Sequence, residues 1–303
     1  MADFSKFERK IIKLFRNNPD FDFETKQYHV LEIGKPISDK GEPKTDIFAL
    51  AIDDGGVKRE FKISLKQFNA DFLENKVTKE RAQEILGVNW KKIISLSLKK
   101  IRGRFTDRPL IYKSSYGKTE KGSITLGWKF ELLNKSGGRL SGRLALNRNQ
   151  IVEVLKGNNL SSSKKNALVN GKSFKNSGVA DYILTSEMDQ INSVDDILLN
   201  LVKIDDFIAE TKPNIFFACK ALNYRSLYQP KPKWDGDRPL AVFINWHIFR
   251  RKLRYNIDFD HCLEKRGNEI AANLRKALSE IEVRNTDELD PSMVYDSKII
   301  YQK

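Results

Sequence analysis

The sequence predicts a protein of the α/β class, with helices and strands mixed along the chain and a mixed central sheet flanked by helices. Three features of the sequence support this prediction. Apolar residues near the N-terminus recur every three or four positions, which is typical of an amphipathic helix. Residues 47–52 form an unbroken apolar run, as in a buried strand. Residues 57–65 largely alternate between apolar and charged side chains, as in a strand with one buried face.

The N-terminal part is assigned in chain order from its turn and breaker signals. The predicted elements are a helix that ends before Asn18-Pro19, strands at 26–34 and 47–52, a hairpin turn at Asp53-Asp54-Gly55-Gly56, a return strand at 57–65, and a helix over 66–86 with a break near Asn75. Consecutive Asp and Gly residues between two apolar runs are a strong hairpin signal. We therefore expect 47–52 and 57–65 to pair as antiparallel strands.

The rest of the chain alternates between strands, short helices and polar loops. The predicted elements are two strands within 109–133, a Gly/Arg loop at 134–143, a helix at 148–156, a helix from Val194 to Glu210, apolar strands within 213–249, and a closing helix marked by Ile270, Leu274, Leu278 and Ile281. Ser193 can cap the helix that follows it, because its hydroxyl can accept a backbone N–H of the first turn. No distinctive linker is present, so we expect 1–108 and 109–303 to pack closely.

The composition excludes several classes of protein. The chain has 303 residues, 40% of them apolar, which is enough to bury the core of one or two domains. No window approaches 18 apolar residues, which argues against a transmembrane helix, and the N-terminus lacks the apolar segment of a secretory signal. Two cysteines, Cys219 and Cys262, cannot form a disulfide framework. We therefore expect a reduced, cytoplasmic protein.

Positive charge is concentrated in one part of the chain. Lys and Arg number 54 against 40 Asp and Glu, a net charge of +14. Residues 89–122 contain ten basic and two acidic residues, and residues 134–175 contain nine and one. Such a concentration favours a polyanionic partner. Gly, Ser and Asn interrupt the basic runs, which favours nucleic acid over a membrane surface.

The predicted hairpin carries the residues that point to chemistry. Glu60 and Lys62 are two positions apart on one strand and therefore share a face, and Asp46 begins the partner strand. If the turn is a three-residue loop at 53–55 with Gly55 left-handed, Asp46 lies opposite Lys62. Glu60 is then its diagonal neighbour, with about 7–8 Å between Cα atoms. Two carboxylates at that spacing can share one Mg²⁺, and an adjacent ammonium can orient a water.

The segment from Gly41-Glu42-Pro43-Lys44-Thr45-Asp46 to Glu60-Phe61-Lys62 resembles the PD-(D/E)xK nuclease superfamily, and within it type II restriction endonucleases. The resemblance covers roughly residues 1–86. It implies a restriction-endonuclease-like core with a mixed central sheet flanked by helices. It also implies Mg²⁺-dependent cleavage of DNA, with Mn²⁺ as a substitute. In many members Pro directly precedes the Asp, whereas here Lys44 and Thr45 intervene, which leaves the site geometry less defined.

The resemblance also assigns the residues of the site. It implies Asp46, Glu60 and Lys62 as the catalytic residues. Asp46, Glu60 and the main-chain carbonyl of Phe61 would be metal ligands, and Glu8 matches the position where many members place a Glu near the metal. No basic residue lies three or four positions from Glu8, so an ion pair within the helix does not explain it. The alternative is a surface hairpin and a helix flank with incidental charges.

Residues 78–101 have the spacing of a helix-turn-helix motif. A first helix would begin at Thr78, with a turn at Leu86-Gly87-Val88 and a second helix after Asn89. The motif would bury Val88, Ile93 and Leu96, and would direct Asn89, Trp90, Lys91, Lys92 and Ser95 toward a DNA groove. The alternative is that 91–98 is the next strand of the sheet, which the nuclease fold implies after its helix. Both interpretations stay open at this point.

Basic and amide side chains of the positively charged region are candidate DNA contacts. Arg pairs with guanine and Asn with adenine, so Arg148 and Asn149 are candidates for reading bases, against the simpler interpretation of a helix cap. The remaining candidates would contact DNA mainly through phosphates: Lys44, Asn89, Lys91, Lys92, Lys99, Lys100, Arg102, Arg104, Lys164 and Lys165.

The expected function is Mg²⁺-dependent hydrolysis of phosphodiester bonds in double-stranded DNA, and we favour a sequence-specific type II restriction enzyme. Residues 1–108 would form the catalytic core, and 109–303 a basic recognition and accessory region. One alternative is a structure-specific repair or recombination nuclease of the same fold. Another is a non-catalytic helix-turn-helix regulator. The expected partners are double-stranded DNA but no membrane, and a restriction system would add a homodimer and a cognate DNA methyltransferase acting on the same site.

Overall fold

The computed structural model describes residues 4–66, 72–75, 77–225, 233–234 and 236–303. In chain order the elements are α1 (Phe4–Asn17), β1 (Asp20–Phe23), β2 (Lys26–Gly34), β3 (Ile47–Asp53), β4 (Lys58–Lys66), β5 (Phe72–Glu74), α2 (Lys79–Leu86), α3 (Trp90–Lys99), α4 (Gly103–Thr106), β6 (Ile111–Tyr112), β7 (Ser123–Leu133), β8 (Ser141–Arg143), α5 (Arg148–Lys156), α6 (Ser162–Lys165), β9 (Leu168–Val169), β10 (Lys172–Ser173), β11 (Tyr182–Thr185), α7 (Val194–Leu199), β12 (Leu201–Lys203), α8 (Ile204–Thr211), β13 (Phe216–Arg225), β14 (Lys233–Trp234), β15 (Pro239–Leu240), β16 (Val242–Phe249), β17 (Lys252–Asp258), β18 (Lys265–Arg266), α9 (Gly267–Glu280) and β19 (Ile300–Tyr301). Short 3₁₀ turns lie at Met188–Gln190, Pro291–Met293 and Ser297–Ile299. The predicted α/β class, with mixed sheets and flanking helices, is confirmed.

Two compact units share the chain. Unit 1 comprises Met1–Asp71 and Leu146–Pro213, and unit 2 comprises Phe72–Ala145 and Asn214–Lys303. This division differs from the predicted boundary at residue 108, because the chain leaves unit 1 after β4 and returns to it with α5. The segment that carries the predicted hairpin therefore belongs to a discontinuous unit, which is completed by the later segment Leu146–Pro213.

Unit 1 contains a six-stranded sheet in the order β1-β2-β3-β4-β11-β12. The first four strands pair antiparallel as neighbours along the chain. β11 then adds parallel to β4, with Tyr182 opposite Ile63 and Leu184 opposite Leu65, and β12 is antiparallel to β11. The strand that follows β4 in the sheet is thus β11, whereas residues 91–98 lie within helix α3.

One face of this sheet packs against α1 and α7. Phe7, Ile11 and Phe15 of α1 are completely buried, which confirms the apolar stripe predicted for the first helix. They belong to one core cluster with alternate residues of the strands, including Phe61 and Ile63 of β4. Because alternate strand residues point to opposite faces, Glu60, Lys62, Ser64 and Lys66 face the other side.

Unit 2 is built around β7, the long central strand of a larger sheet. β7 pairs antiparallel with β13 along nearly its whole length, and β16 and β17 extend the sheet on the other side. Trp128 and Phe130 of β7 are almost completely buried. Gly127 lies where a Cβ atom would approach the carbonyl oxygen of Val242 to 2.5 Å, so the crossing of β7 and β16 requires glycine. Within the described residues, no helix combines the length and apolar composition needed to cross a membrane.

Two predicted helices differ from the structure. Of the helix predicted over 66–86, residues 67–71 and 76 lie outside the described part of the chain. The described part contains strand β5 and the helix Lys79–Leu86, whose first turn is capped by Thr78: its hydroxyl accepts the Arg81 N–H at 3.2 Å. The helix predicted from Val194 to Glu210 is divided by β12, because Leu201–Lys203 pairs with the strand Tyr182–Thr185. Pairing with a distant strand overrides the local helical pattern there.

Candidate active site and nucleic-acid interface

The hairpin of β3 and β4 carries the predicted site. Its loop closes with the Asp53 N–H donating to the Val57 carbonyl at 2.9 Å, and Gly56 has a φ of 83°, which favours glycine. The predicted loop of three residues is therefore shifted by one position, and the strand register by two. Phe48, rather than Asp46, lies opposite Lys62. The predicted register is wrong, although a shift of two leaves each side chain on its predicted face.

Asp46 is held by the end of β4. Its N–H donates to the Ile63 carbonyl at 2.9 Å, while its Oδ2 accepts the Leu65 N–H at 2.7 Å and the Ser64 hydroxyl at 3.3 Å. The Leu65 N–H, which would be the next donor of the β3–β4 ladder, thus bonds to the Asp46 carboxylate instead of to a backbone carbonyl. Continued by one pair, the register places Asp46 opposite Ser64, and Glu60 lies four residues from there, about 13 Å along the strand. The structure therefore separates Asp46 from Glu60.

Glu8 of α1 is a buried carboxylate that interacts electrostatically with Asp46. Its side chain is 9% exposed, and its Oε2 accepts a hydrogen bond from Lys35 Nζ at 2.6 Å. Burial raises the pKa of Glu8 above its ordinary value, the bond to Lys35 opposes this rise, and the nearby carboxylates of Asp46 and Glu42 add to it. Helix α1 itself supplies no basic partner for Glu8. The partner is Lys35, which directly follows β2.

Glu60 and Lys62 belong to a chain of alternating charges, which we call the charge chain. Lys62 Nζ lies 3.0 Å from Asp181 and 3.5 Å from Glu60, and Lys156 Nζ lies 3.9 Å from Asp181 and 2.9 Å from Asp205. Asp181 directly precedes β11, on the side of β4 away from β3. The ammonium of Lys62 is therefore engaged on the β11 side.

Among the residues of this region that sequence reasoning missed are Asp181, Ser64 and Lys66. Asp181 stands directly before an apolar strand, as Asp46 does, and that shared pattern could have indicated it. Ser64-Leu65-Lys66 repeats the spacing of Glu60-Phe61-Lys62 with a hydroxyl in place of the carboxylate. Both triplets lie on β4, and only the register decides which one meets Asp46.

The fit of a metal ion can be judged from these residues. Among the described residues, no group of three or more His, Cys, Asp or Glu side chains is arranged to hold a metal. Mg²⁺ needs fewer, because it is commonly held by one or two carboxylates together with waters. Asp46 and Glu8 supply two, and the buried Thr45 hydroxyl beside Asp46 has no hydrogen-bond partner in the described part of the chain. These residues fit a Mg²⁺.

The other predicted ligands do not lie with this pair. Phe61 is completely buried and is paired with Ala49 inside the β3–β4 ladder. Its ring packs edge-on against Phe21 and Phe23, with centroids 5.6 and 5.2 Å away. Phe61 is thus part of the core of the hairpin, and Glu60 is part of the charge chain.

Residues 78–101 form two helices, which decides between the two interpretations of this segment. Trp90, Ile94 and Leu98 of α3 are buried, because they recur every four residues on one face. Val88 is 87% exposed and Leu96 is 50% exposed. The predicted orientation of the second helix is therefore wrong: Trp90 faces the core, and Val88 and Leu96 face solvent.

The candidate DNA contacts are divided between the units. Unit 2 holds Asn89, Lys91, Lys92, Lys99, Lys100, Arg102 and Arg104, all of them exposed. Unit 1 holds Lys44, Arg148, Asn149, Lys164 and Lys165, of which Arg148 and Asn149 are exposed and the lysines partly buried.

Several of these side chains already have partners within the protein. Lys91 forms an ion pair with Glu264, the Arg102 guanidinium lies 4.9 Å from the centre of the Phe259 ring, and Arg104 donates to the carbonyls of Arg139 and Ser141. Lys165 donates to the Asn158 carbonyl at 2.8 Å. The candidate base-reading pair, Arg148 and Asn149, begins α5, whose cap is Asn147.

A basic groove runs beside α1 in unit 1. Its volume is about 650 Å³, and its basic lining residues are Arg9, Lys13, Arg16 and Lys35. We call it the α1 groove. Lys35 is also the partner of Glu8, so one wall of the groove carries the ion pair of that carboxylate. The first helix did not stand out as basic in the sequence, because its charges are spaced along one face instead of forming a run.

A scan against protein-family models, a search of curated proteins and a search of solved structures each found no match.

Proposed function

We propose that this protein is a Mg²⁺-dependent endonuclease that hydrolyses phosphodiester bonds in double-stranded DNA, with its active site at the start of β3. One observation carries the proposal: Asp46 is fixed by Ser64 and Leu65, and its charge helps to raise the pKa of the buried carboxylate of Glu8. Two carboxylates close together, one of them buried, are costly without a compensating cation. Lys35 supplies part of that compensation, and a divalent ion would supply the rest.

The chemistry asked of the site is a simple displacement. A Mg²⁺ bound there would neutralise phosphate charge and acidify a water. A water oxygen forms a bond to phosphorus, one ester P–O bond breaks, the water loses a proton to solvent, and the departing oxygen takes one up. Asp46 and Glu8 would hold the ion, and a nearby lysine would donate a hydrogen bond to the attacking water.

Double-stranded DNA as the substrate is supported by charge. The net charge of +14 is concentrated in residues 89–175, and the α1 groove adds a second basic surface that reaches Glu8 through Lys35. Phosphate contacts of this kind provide affinity and position the backbone, without reading sequence. Within this class we favour a sequence-specific type II restriction enzyme, because unit 2 adds 164 residues that a minimal nuclease does not need.

A helix-turn-helix regulator is the second candidate function. The observation in its favour is the α2–α3 pair, whose three-residue turn is followed by exposed Lys91 and Lys92 on the second helix. A DNA-binding helix pair is also compatible with a nuclease, so this feature does not compete with the site at Asp46.

A plasmid assay separates the candidates. Purified protein is incubated with supercoiled plasmid and Mg²⁺, with EDTA and the Asp46→Asn variant as controls. Discrete fragments would support the restriction enzyme, and a smear or a preference for branched substrates would support a repair nuclease. Retarded but uncut DNA at all Mg²⁺ and Mn²⁺ concentrations would overturn the nuclease proposal and favour the regulator.

A further inference from the structure

We propose that the lysine of the active site is Lys66 rather than Lys62, and that the second carboxylate is Glu8 rather than Glu60. This inference rests on the proposed nuclease function and names the residues that perform it. The corresponding main-chain metal ligand is then the Leu65 carbonyl, in place of that of Phe61. The sequence offers the same spacing twice on one strand, at Glu60-Phe61-Lys62 and at Ser64-Leu65-Lys66.

The contacts of Asp46 distinguish the two triplets. Its carboxylate is bonded to Ser64 and Leu65, the two residues directly before Lys66. Ser64 and Lys66 share one face of β4, so the Lys66 side chain leaves the strand on the face of the Ser64 hydroxyl. Lys62 also lies two residues from Ser64, but in the direction away from Leu65, whose N–H the Asp46 carboxylate accepts. Asp46 is therefore seated at the second triplet.

The contacts of Lys62 also indicate that the first triplet does not serve Asp46. Its ammonium lies 3.0 Å from Asp181, and its side chain is only 12% exposed. To serve Asp46 it would have to leave this partner. Glu60 lies beside Lys62 and, like it, belongs to the charge chain. The ion pairs of the charge chain thus account for the charged residues of the first triplet, Glu60 and Lys62.

The backbone beside Leu65 supplies the third argument. The β3–β4 pairing ends at Ile47 and Ile63. The Thr45 N–H, which would continue it to the Leu65 carbonyl, donates instead to the Gly178 carbonyl at 3.2 Å. The Leu65 carbonyl therefore does not accept the Thr45 N–H, and it lies on the edge of β4 that faces Asp46. Together with the carboxylates of Asp46 and Glu8, this carbonyl oxygen would complete a set of hard ligands suited to Mg²⁺.

Lys66 would act on the attacking water and the phosphate. If its ammonium reaches the carboxylates of Asp46 and Glu8, it would donate hydrogen bonds to the water and to a phosphate oxygen as negative charge develops. Removal of one such donor typically costs about 10²–10³-fold in rate. Its positive charge also disfavours a nearby cation, so its removal strengthens metal binding.

The test compares Lys66→Ala, Lys62→Ala and the matched control Lys58→Ala, an exposed lysine at the start of the same strand. Plasmid cleavage is expected to fall by about 10²-fold or more in Lys66→Ala, to stay at the wild-type level in Lys58→Ala, and to fall less in Lys62→Ala than in Lys66→Ala. Titration calorimetry with Mg²⁺ gives a second readout that does not depend on cleavage. Glu8→Gln should lose metal binding, Glu60→Gln should keep it, and Lys66→Ala should bind Mg²⁺ more tightly than wild type.

Two sets of results would overturn the inference. One is cleavage by Lys66→Ala at the wild-type rate, or a larger loss in Lys62→Ala. The other is loss of Mg²⁺ binding in Glu60→Gln with retention in Glu8→Gln. Failure of the nuclease proposal has a different signature, because wild type itself would not cut. In that case the calorimetric comparison still decides which carboxylate and which lysine lie at the metal.

Discussion

The carboxylate of Asp46 accepts the backbone N–H of Leu65 at 2.7 Å, so one side chain both ends the β3–β4 ladder and stands at the proposed metal site. Because the Asp46 carboxylate both accepts a backbone hydrogen bond and is a proposed metal ligand, substitutions that keep or remove its oxygen should differ in their effect on stability.

Asp46→Ala should destabilise the protein as well as abolish Mg²⁺-dependent cleavage. It leaves the Leu65 N–H without its acceptor, which costs about 1–3 kcal/mol. Asp46→Asn keeps an amide oxygen for that bond and should lose cleavage with a smaller loss of stability. Urea unfolding measures the difference, and equal unfolding midpoints for the two variants would contradict it. DNA binding should stay near the wild-type level in both.

The contact between Lys62 and Asp181 should contribute to stability as a coupled pair. Both are partly shielded from solvent, with exposures of 12% and 40%, so the coupling should exceed that of a surface ion pair, at about 1 kcal/mol or more. A double-mutant cycle with Lys62→Met and Asp181→Asn measures this energy by urea unfolding. Strictly additive effects would show that the ion pair is incidental.

Asp53 should make the hairpin sensitive to acid. The side chain accepts a hydrogen bond from Lys26 and another from the Val57 N–H, and these bonds hold the pKa of Asp53 below its ordinary value of 3.8. A carboxyl group whose pKa is depressed on folding stabilises the protein above its unfolded pKa and loses that contribution as pH falls toward the folded pKa. Asp53→Asn should therefore be less stable than wild type at pH 6. The difference should shrink below pH 3.8, as measured by urea unfolding across this range.

The orientation of α3 predicts which of two neighbouring apolar residues matters. Ile94 is completely buried, so Ile94→Ala should cost about 2–5 kcal/mol. Leu96 is 50% exposed, and Leu96→Ala should change stability by less than about 1 kcal/mol. If the two costs were reversed in thermal unfolding, the helix would face the other way, as the helix-turn-helix template predicted.

The α1 groove should bind phosphates without regard to sequence. Replacing Lys13 and Arg16 together with Ala should weaken binding of every duplex tested and lower the salt dependence of the affinity by about one unit per lost contact. Lys58→Ala, which removes one positive charge outside the groove, serves as the control for a general loss of charge. Wild-type affinity and salt slope in the double variant would exclude the groove from the DNA path.

Much of unit 1 could be predicted from local pattern. The stripe of Phe7, Ile11 and Phe15 follows from a periodicity of 3.6, and the strand at 57–65 from a periodicity of 2. The strand at 47–52 follows from its unbroken apolar run, and the strand at 26–34 from the turn signals around it. The hairpin is also predicted at the right place, but the predicted loop begins one residue too early. Because a hairpin register changes by two for each shift of its loop, this small difference moved the partner of Asp46 from Lys62 to Ser64.

The features that the sequence did not predict depend on contacts between distant parts of the chain. Asp181 and Lys156 lie near Lys62 only because β11 joins β4, and no local pattern indicates that pairing. The division of the helix predicted over 194–210 has the same cause. The Lys35 partner of Glu8 was invisible for the same reason, since only the packing of α1 on the sheet brings them together.

The parallel pairing of β11 with β4 sets the order in which unit 1 can fold. Arg59 Nη2 donates to the Tyr182 hydroxyl at 2.9 Å across 123 positions of sequence, and closing a loop of that length costs about 4 kcal/mol of chain entropy before any contact compensates for it. During synthesis the strands β1–β4 emerge long before β11, and until then the edge of β4 offers unpaired N–H and C=O groups to any neighbouring chain. Refolding should accordingly be slow and sensitive to protein concentration, with aggregation rising in any fragment that ends before Tyr182.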